Sequence, residues 1–242
     1  MAKFVSQVYS EIRGSVNGVT YARNRFGLYA RSKASPVQPR TPAQSERRAQ
    51  LTVLSQRWRT LSENNRAEWR ALADELTRSD ALGLTYRLSG LQAYLQMNLW
   101  RALLGLAPQD NPPAQLAAPN PVSIQGINDD ADANLLEIAF TPTPYAGALA
   151  IWATAPFSRG INFVAPSRYR IVAVRRPASF GGNLASPQNI GPAYIAKFGI
   201  PIGELAGKRI AVALTPVSYG APNTAGVAGQ RTTFVYDFAQ AS

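Results

Sequence analysis

The sequence has 242 residues, of which 46% are hydrophobic and 10% aromatic, so it is long enough to bury a sizeable core. It contains no cysteine and no histidine. These absences exclude disulfides, thiolate nucleophiles and cysteine or histidine metal sites, and they remove the side chain that most often performs acid–base catalysis near neutral pH.

Positive charge is concentrated near the start of the chain. The net charge is +11, and in residues 1–48 nine Lys and Arg minus two Glu give +7. In residues 101–242, ten basic minus seven acidic residues give +3. A basic N-terminal arm is typical of a chain that meets nucleic acid, an anionic surface or an acidic protein face. The alternative is an arm whose arginines pair with carboxylates of neighbouring copies.

Residues 4–35 are predicted to form strands and tight turns. The pair Asn17-Gly18 favours a type I′ hairpin turn, which needs two residues with positive φ. A second tight turn is predicted at Phe26-Gly27, after which a strand resumes. If that turn keeps the strands in register, one face of the ribbon is expected to carry Tyr21, Arg23, Arg25, Tyr29, Arg31 and Lys33. Residues 35–42 contain three prolines, which predicts an extended arm.

Residues 41–105 are predicted to form a small helical unit of about three helices. The first begins with a capping box in which Thr41 is the N-cap and Gln44 is at N3. Ser62 and Ser89 are the predicted N-caps of the second and third helices, and Gly105 is predicted to end the third. The predicted inward faces are Leu51, Leu54, Trp58 and Leu61 in the first helix, and Leu91, Leu95, Leu99 and Leu103 in the third. Trp58, Trp69 and Trp100 are interpreted as core residues, and residues 77–88 as a loop or short hairpin.

Residues 106–121 contain five prolines in sixteen positions and are predicted to be an extended linker, the clearest domain boundary in the chain. Residues 122–242 are predicted to form an all-β sandwich, because short apolar runs alternate with Pro- and Gly-rich turns. Five strands are expected, at residues 135–140, 148–153, 169–174, 209–214 and 232–238. Residues 178–192 are predicted to be a long loop.

The sequence offers little for catalysis or metal binding. Asp129, Asp130 and Asp132 have a spacing that can ligate Ca²⁺, but the rest of an EF-hand loop is missing, so a solvated turn between strands is the better interpretation. We expect no catalytic residues, no metal and no cofactor. No apolar run approaches the ~20 residues that span a bilayer, and the first residues lack the apolar core of a signal peptide.

Several segments of the N-terminal hundred residues carry a recurrent pattern. They are 12–21 (Ile-Arg-Gly-Ser-Val-Asn-Gly-Val-Thr-Tyr), 23–31 (Arg-Asn-Arg-Phe-Gly-Leu-Tyr-Ala-Arg), 36–44 with Arg48, 58–62 with Trp69, and 89–94 with Asn98. The pattern resembles a group of structural or uncharacterised proteins encoded in tailed-phage and prophage genomes. It covers about 40% of the chain. The resemblance implies a virion component made in the host cytoplasm, and it implies no reaction.

The C-terminal part resembles a fibronectin type III sandwich. The likeness lies in residues 136–142 (Leu-Glu-Ile-Ala-Phe-Thr-Pro) and 210–218 (Ile-Ala-Val-Ala-Leu-Thr-Pro-Val-Ser). Phe140 stands where that family usually has a core tryptophan, and no tyrosine occupies its corner position late in the fold. The overall expectation is an α+β multidomain chain: a basic ribbon and arm at 1–40, helices at 41–105, the linker, and the sandwich at 122–242.

The leading functional hypothesis is a non-enzymatic virion structural protein in the shell, neck or tail, which contacts other virion proteins and copies of itself. The partner-binding residues are expected to be Arg13, Tyr21, Arg23, Arg25, Phe26, Tyr29, Arg31, Lys33 and Arg40. The alternative is a virion protein that binds genome phosphates through the basic arm. A third class is a carbohydrate or host-surface binder that uses Trp152 and Tyr145 as a platform, although Trp152 lies in mid-strand, where a core position is expected.

Overall fold

A computed structural model describes residues 2–3, 12–24, 27–33, 40–79, 85–113, 119–161 and 163–239. Helices and antiparallel sheets both contribute to it, so the predicted α+β character is confirmed at this coarse level. Contacts divide the chain into two compact units, Met1–Arg47 and Arg48–Ser242. We call the first the N-terminal unit and the second the body.

The N-terminal unit contains one antiparallel sheet with the strand order β1-β4-β3-β2. Its strands are β1 (Ala2–Lys3), β2 (Gly14–Val16), β3 (Val19–Asn24) and β4 (Gly27–Ser32). Helix α1 (Pro42–Thr60) begins in this unit and continues into the body. Its predicted capping box is confirmed, because the Gln44 N–H donates to Thr41 Oγ1 at 3.4 Å and the Thr41 N–H donates to Gln44 Oε1 at 3.3 Å. Most of the predicted extended arm, residues 34–39, lies outside the described residues.

The body continues with α2 (Glu63–Glu75) and α3 (Gly90–Leu103). Ser62 caps α2 by accepting from the Asn65 N–H at 3.2 Å, and Ser89 forms a full capping box with Gln92. Two short strands, β5 (Thr77–Ser79) and β6 (Thr85–Arg87), pair as a hairpin between these helices. The predicted N-caps are therefore confirmed, as is the hairpin alternative for residues 77–88.

Aromatic rings form the centre of the helical core. Trp69 is fully buried, and its ring meets that of Tyr94 edge-on with centroids 5.4 Å apart. Trp58 packs on the other side of Tyr94, with ring centroids 5.3 Å apart. Trp100 packs into a separate apolar cluster with Leu104. The interpretation as core of the helical unit is confirmed for Trp69, while Trp58 is half-buried against that core and Trp100 packs instead with residues of the β region.

The predicted inward face of α3 is wrong. The buried residues are Gly90, Ala93, Tyr94, Met97, Asn98 and Arg101, while Leu95 and Leu99 only flank this stripe. The reason is a close approach between helices: a Cβ on Gly90 would lie 3.0 Å from the Arg70 side chain. Gly90 lets the start of α3 approach α2, and Tyr94 on the same stripe packs against Trp58 and Trp69, so this face turns inward. On α1, Leu54 is buried as predicted, but Leu51 is 40% exposed.

The remaining strands form antiparallel sheets that contain the five predicted strands. A three-stranded sheet has the order β13-β8-β7, a four-stranded sheet has the order β11-β10-β14-β15, and β12 pairs with β9. The strands are β7 (Ser123–Asp130), β8 (Leu135–Thr141), β9 (Tyr145–Ala146), β10 (Ala148–Ala153), β11 (Arg170–Arg175), β12 (Asn183–Leu184), β13 (Gln188–Asn189), β14 (Arg209–Val217) and β15 (Thr232–Asp237).

Three features of this β region differ from the prediction. Strand β7 was not expected, and neither was helix α4 (Gly191–Phe198). The predicted long loop at 178–192 is interrupted by β12 and β13, which pair with β9 and β8. These pairings satisfy backbone groups that a loop of this length would leave to solvent.

The two larger sheets share one apolar core. Leu136, Ile138 and Phe140 point into it from β8, and Ile210, Val212 and Leu214 point into it from β14. Each set occupies alternate positions, so one face of each sheet is buried against the other.

The helices and the β region belong to the same compact unit. The buried Arg101 side chain donates to the carbonyls of Pro222 at 2.6 Å and Ala225 at 3.3 Å, and Leu104 packs with Val217. The described part of the proline-rich segment also packs on the helices, because the Trp69 indole N–H donates to the Asp110 carbonyl at 2.7 Å. The contacts therefore divide the chain near residue 47 rather than at the predicted linker.

Candidate protein interface on the N-terminal sheet

Two tight turns build the sheet that carries the predicted binding residues. Asn17 has φ of 42° and Gly18 has φ of 80°, as the predicted type I′ turn between β2 and β3 requires. The Lys33 N–H donates to the Gly18 carbonyl at 2.6 Å, which ties the end of β4 to this turn. Asn24 pairs with Gly27, so two residues connect β3 to β4, and Gly27 belongs to β4 rather than to the predicted Phe26-Gly27 turn.

The register of β3 and β4 overturns the expectation of a single cationic face. Tyr21 pairs with Ala30, Ala22 with Tyr29, and Thr20 with Arg31. Directly paired residues of an antiparallel sheet have side chains on the same face, and neighbours along a strand alternate. Tyr21 and Arg23 therefore lie on one face, and Tyr29 and Arg31 lie on the other. A two-residue connection pairs odd-numbered residues of β3 with even-numbered residues of β4. The odd-numbered tyrosines and arginines of the two strands therefore lie on opposite faces.

The sheet therefore carries the same short motif on each of its two faces. Residues 21–23 and 29–31 both read Tyr-Ala-Arg, and each copy places its tyrosine and arginine two residues apart on one face. Arg23, Arg31 and Lys33 are exposed, while Tyr21 and Tyr29 are half-buried. An exposed guanidinium beside an aromatic ring suits recognition of carboxylates and carbonyls on a protein surface.

The other predicted binding residues are placed differently. Arg13 is exposed just before β2, and Arg40 is exposed just before the cap of α1. Arg25 and Phe26 lie outside the described residues.

The aspartates of the β7–β8 connection have structural roles, as their interpretation as a turn predicts. Asp130 Oδ1 accepts from the backbone N–H groups of Asp132 at 3.0 Å and Ala133 at 3.2 Å, which closes the turn. Asp129 accepts a hydrogen bond from the Tyr236 hydroxyl. In the part of the chain that the structure describes, no group of three or more acidic side chains is arranged to hold a metal ion.

The carbohydrate platform suggested for Trp152 and Tyr145 does not form. Tyr145 is fully buried, its hydroxyl donates to the Asn120 carbonyl at 3.0 Å, and burial raises its pKa to about 12. Trp152 is half-buried on the outer side of β10, so the expectation that it is a core residue is also wrong. The guanidinium carbon of Arg231 lies 4.2 Å from the centre of its ring.

Arg231 was missed by sequence reasoning because no local motif surrounds it. Only the pairing of β14 with both β10 and β15 brings it near Trp152. A single-sequence pattern contains no signal for such a long-range pairing.

The chain was compared with protein families, curated proteins and solved structures, and none of the three comparisons gave a match. None of the helices in the described ranges is long and apolar enough to span a membrane.

Proposed function

We propose that this chain is a non-enzymatic structural protein of a phage virion, which mediates contacts between subunits in the shell, neck or tail. The observation that carries the proposal is the pair of Tyr-Ala-Arg motifs on opposite faces of the N-terminal sheet. A sheet with an equivalent cationic and aromatic pair on each face can lie between two acidic protein surfaces. A subunit that links neighbours in an assembly needs such an element.

Composition supports the non-enzymatic part of the proposal. With no histidine and no cysteine, the chain lacks the commonest general base and the thiolate nucleophile of hydrolytic and transfer enzymes. The phage origin rests on the resemblance of the N-terminal segments given above.

The strand orders support a fibronectin type III-like sandwich in the body. That fold faces a three-stranded sheet with a four-stranded one, with strands joined in a Greek-key order, and β13-β8-β7 and β11-β10-β14-β15 are compatible with it. Such sandwiches serve as binding or spacing modules in many proteins, but the fold alone does not define a function.

The proposal is tested by replacing one arginine on each face. Arg23→Gln and Arg31→Gln should each lower the copy number of the protein in purified particles about threefold, and the double variant about tenfold, because each removes one charged interface contact. Arg168→Gln is the matched control: it removes the same charge from an exposed position of the body and should change nothing. Quantitative mass spectrometry of the particles measures the copy number.

The competing function, binding of genome phosphates, predicts a different outcome. The double variant would then enter particles normally, and the particles would retain less DNA. Binding of the protein to duplex DNA would also fall with salt, with a log–log slope of about −0.9 for each phosphate neutralised. These results together would contradict the assembly proposal and favour a protein that binds the genome.

A further inference from the structure

The outer side of the four-stranded sheet is only partly covered by the helical region. Near one end, Leu104 at the end of α3 packs with Ala148 and Val217. Towards the other end, Thr233 and Val235 are exposed and Trp152 and Ile171 are half-buried, while Thr215 between them is buried. We call this second part the Trp152 face. It consists of Trp152, Tyr169, Ile171, Thr215, Arg231, Thr233 and Val235.

Thr215 holds the two central side chains of this face in one arrangement. Its hydroxyl oxygen accepts from Trp152 Nε1 at 3.1 Å and from Arg231 Nε at 3.3 Å. The guanidinium is stacked over the indole ring at 4.2 Å. Because the cation is positioned before any partner arrives, less side-chain entropy is lost when an anion binds to it.

The charge of Arg231 has no counter-ion among the described residues. None of the ion pairs in the described ranges includes Arg231, and the nearby Tyr169 is a neutral phenol at ordinary pH. Burial lowers the pKa of Arg231, which reflects the cost of removing the cation from water. A positioned cation without a counter-ion can form charge-assisted hydrogen bonds with an external anion.

We propose that the Trp152 face is a docking site for an acidic segment of another protein, with a carboxylate of that segment bound to the guanidinium of Arg231. Thr215 uses the Nε–H of Arg231, which leaves the two Nη groups to bind both oxygens of a carboxylate. The half-buried Ile171, which pairs with Trp152, and the exposed Val235, further along the same face, supply apolar surface. A Trp and Arg centre with an apolar surround is the usual composition of an energetically dominant interface patch.

This site lies on the body and goes beyond the function proposed for the N-terminal sheet. A protein carboxylate is favoured over nucleic acid because Arg231 already covers the indole ring. A base would have to displace that stacked guanidinium before it could stack on Trp152.

The test follows the indole N–H signal of Trp152 by NMR in the full chain. The chain carries Arg23→Gln and Arg31→Gln so that the N-terminal sheet contributes little binding, and Trp152→Phe identifies the signal among those of the four tryptophans. The probes are a blocked peptide of alternating Glu and Ser, its Gln counterpart, and single-stranded oligothymidylate. Only the Glu peptide should shift the Trp152 signal, because only it offers carboxylates.

Two substitutions and one control decide the role of Arg231. Arg231→Gln should weaken binding of the Glu peptide about tenfold, because the charge-assisted contact is lost. Thr215→Val keeps the charge but removes the oxygen that positions it, and should weaken binding by a smaller factor. Arg168→Gln should leave the affinity unchanged.

Each other result overturns the proposal. Equal shifts with the Gln peptide would remove the role of the carboxylate, and equal weakening by Arg168→Gln would reduce binding to general charge attraction. A shift with oligothymidylate alone would assign the face to phosphates, and no shift with any probe would leave no docking site. None of these outcomes depends on whether the N-terminal sheet enters particles.

Discussion

The N-terminal unit and the body use charge and apolar surface in opposite ways. In Met1–Arg47, eight Lys and Arg minus two Glu give +6, whereas in Arg48–Ser242 seventeen basic minus twelve acidic residues give +5. All residues of the three buried apolar clusters found in the described ranges lie in the body. The N-terminal sheet therefore displays charge, while the body stabilises itself by burial.

Arginines of the body pair with carboxylates of the same chain. Arg57 binds both carboxylate oxygens of Asp110, at 2.6 and 2.9 Å, and Arg209 pairs with Asp237. These side chains are committed to the fold itself. Arg23 and Arg31, in contrast, are exposed on a sheet of short strands, an element that gains stability when a partner covers it.

The sharpest test of this contrast removes the largest buried side chain of the helical core. Trp69→Ala should lower the free energy of unfolding by about 4 kcal/mol, because it leaves a cavity and the Asp110 carbonyl loses its donor. Urea denaturation followed by far-UV circular dichroism measures the change. Tyr86→Ala, at a position that is 51% exposed, is the control and should cost less than about 0.5 kcal/mol. A similar loss in both variants would contradict the assignment of this core.

A smaller effect is expected at the contact between the helices and the β region. Arg101→Ala should cost about 3 kcal/mol, because the carbonyls of Pro222 and Ala225 lose their donor and a buried volume is emptied. Tryptophan fluorescence reports mainly the helices, which hold three of the four tryptophans, and hydrogen exchange followed by mass spectrometry reports the β region. In the parent chain the two should give one urea transition, and in the variant the two curves should separate because this contact no longer couples the regions. Coincident curves after this substitution would show that Arg101 is not the coupling residue.

How far the sequence predicts the fold depends on whether the signal is local. The caps at Ser62 and Ser89, the Asn17-Gly18 turn and five strands follow from short motifs, and the structure agrees with them. Strand β7 was not predicted, because polar residues at 128–130 and a bulge near Gly126 interrupt the alternation of apolar and polar residues along it. Helix α4 had a usable signal, Pro192 in its first turn and Gly199 just after its end.

The candidate sites depend on pairing, and pairing is not a local property. Sequence reasoning found Arg23 and Arg31 but put them on one face, because it did not allow for the shift that a two-residue turn imposes. It found Trp152 but not Arg231, whose position depends on the pairing of β14 with β15. Composition and motifs thus predict which residues are displayed, while strand register decides which of them act together.

The pH dependence of stability in alkaline solution tests the burial of Tyr145 in the body. Burial raises the pKa of Tyr145 from its ordinary value of 10.0 to about 12, so the folded chain keeps this proton where the unfolded chain loses it. Its contribution to stability is full below the unfolded pKa and is lost as the pH rises through the folded pKa.

Tyr145→Phe should therefore be about 1 kcal/mol less stable at pH 7, where the hydrogen bond to Asn120 is lost. Between pH 10 and 12 the deficit should shrink, since only the parent chain has this proton to lose. Urea denaturation at each pH measures both values. A deficit that grows with pH would contradict the sign of the pKa shift.

The smallest effect on the body is expected from a change in the N-terminal turn. Gly18 has φ of 80°, a region that alanine adopts at a cost of about 1 kcal/mol, so Gly18→Ala should loosen the β2–β3 hairpin. Because the contacts divide the chain near residue 47, the urea midpoint of the body should not move. Hydrogen exchange followed by mass spectrometry should show faster exchange in residues 12–33 alone. The matched change Gly199→Ala has φ of 70° after α4 and should shift the body's midpoint instead. If Gly18→Ala also shifted that midpoint, the N-terminal sheet would be part of the cooperative core, and its two faces would no longer be available for the assembly contacts proposed for them.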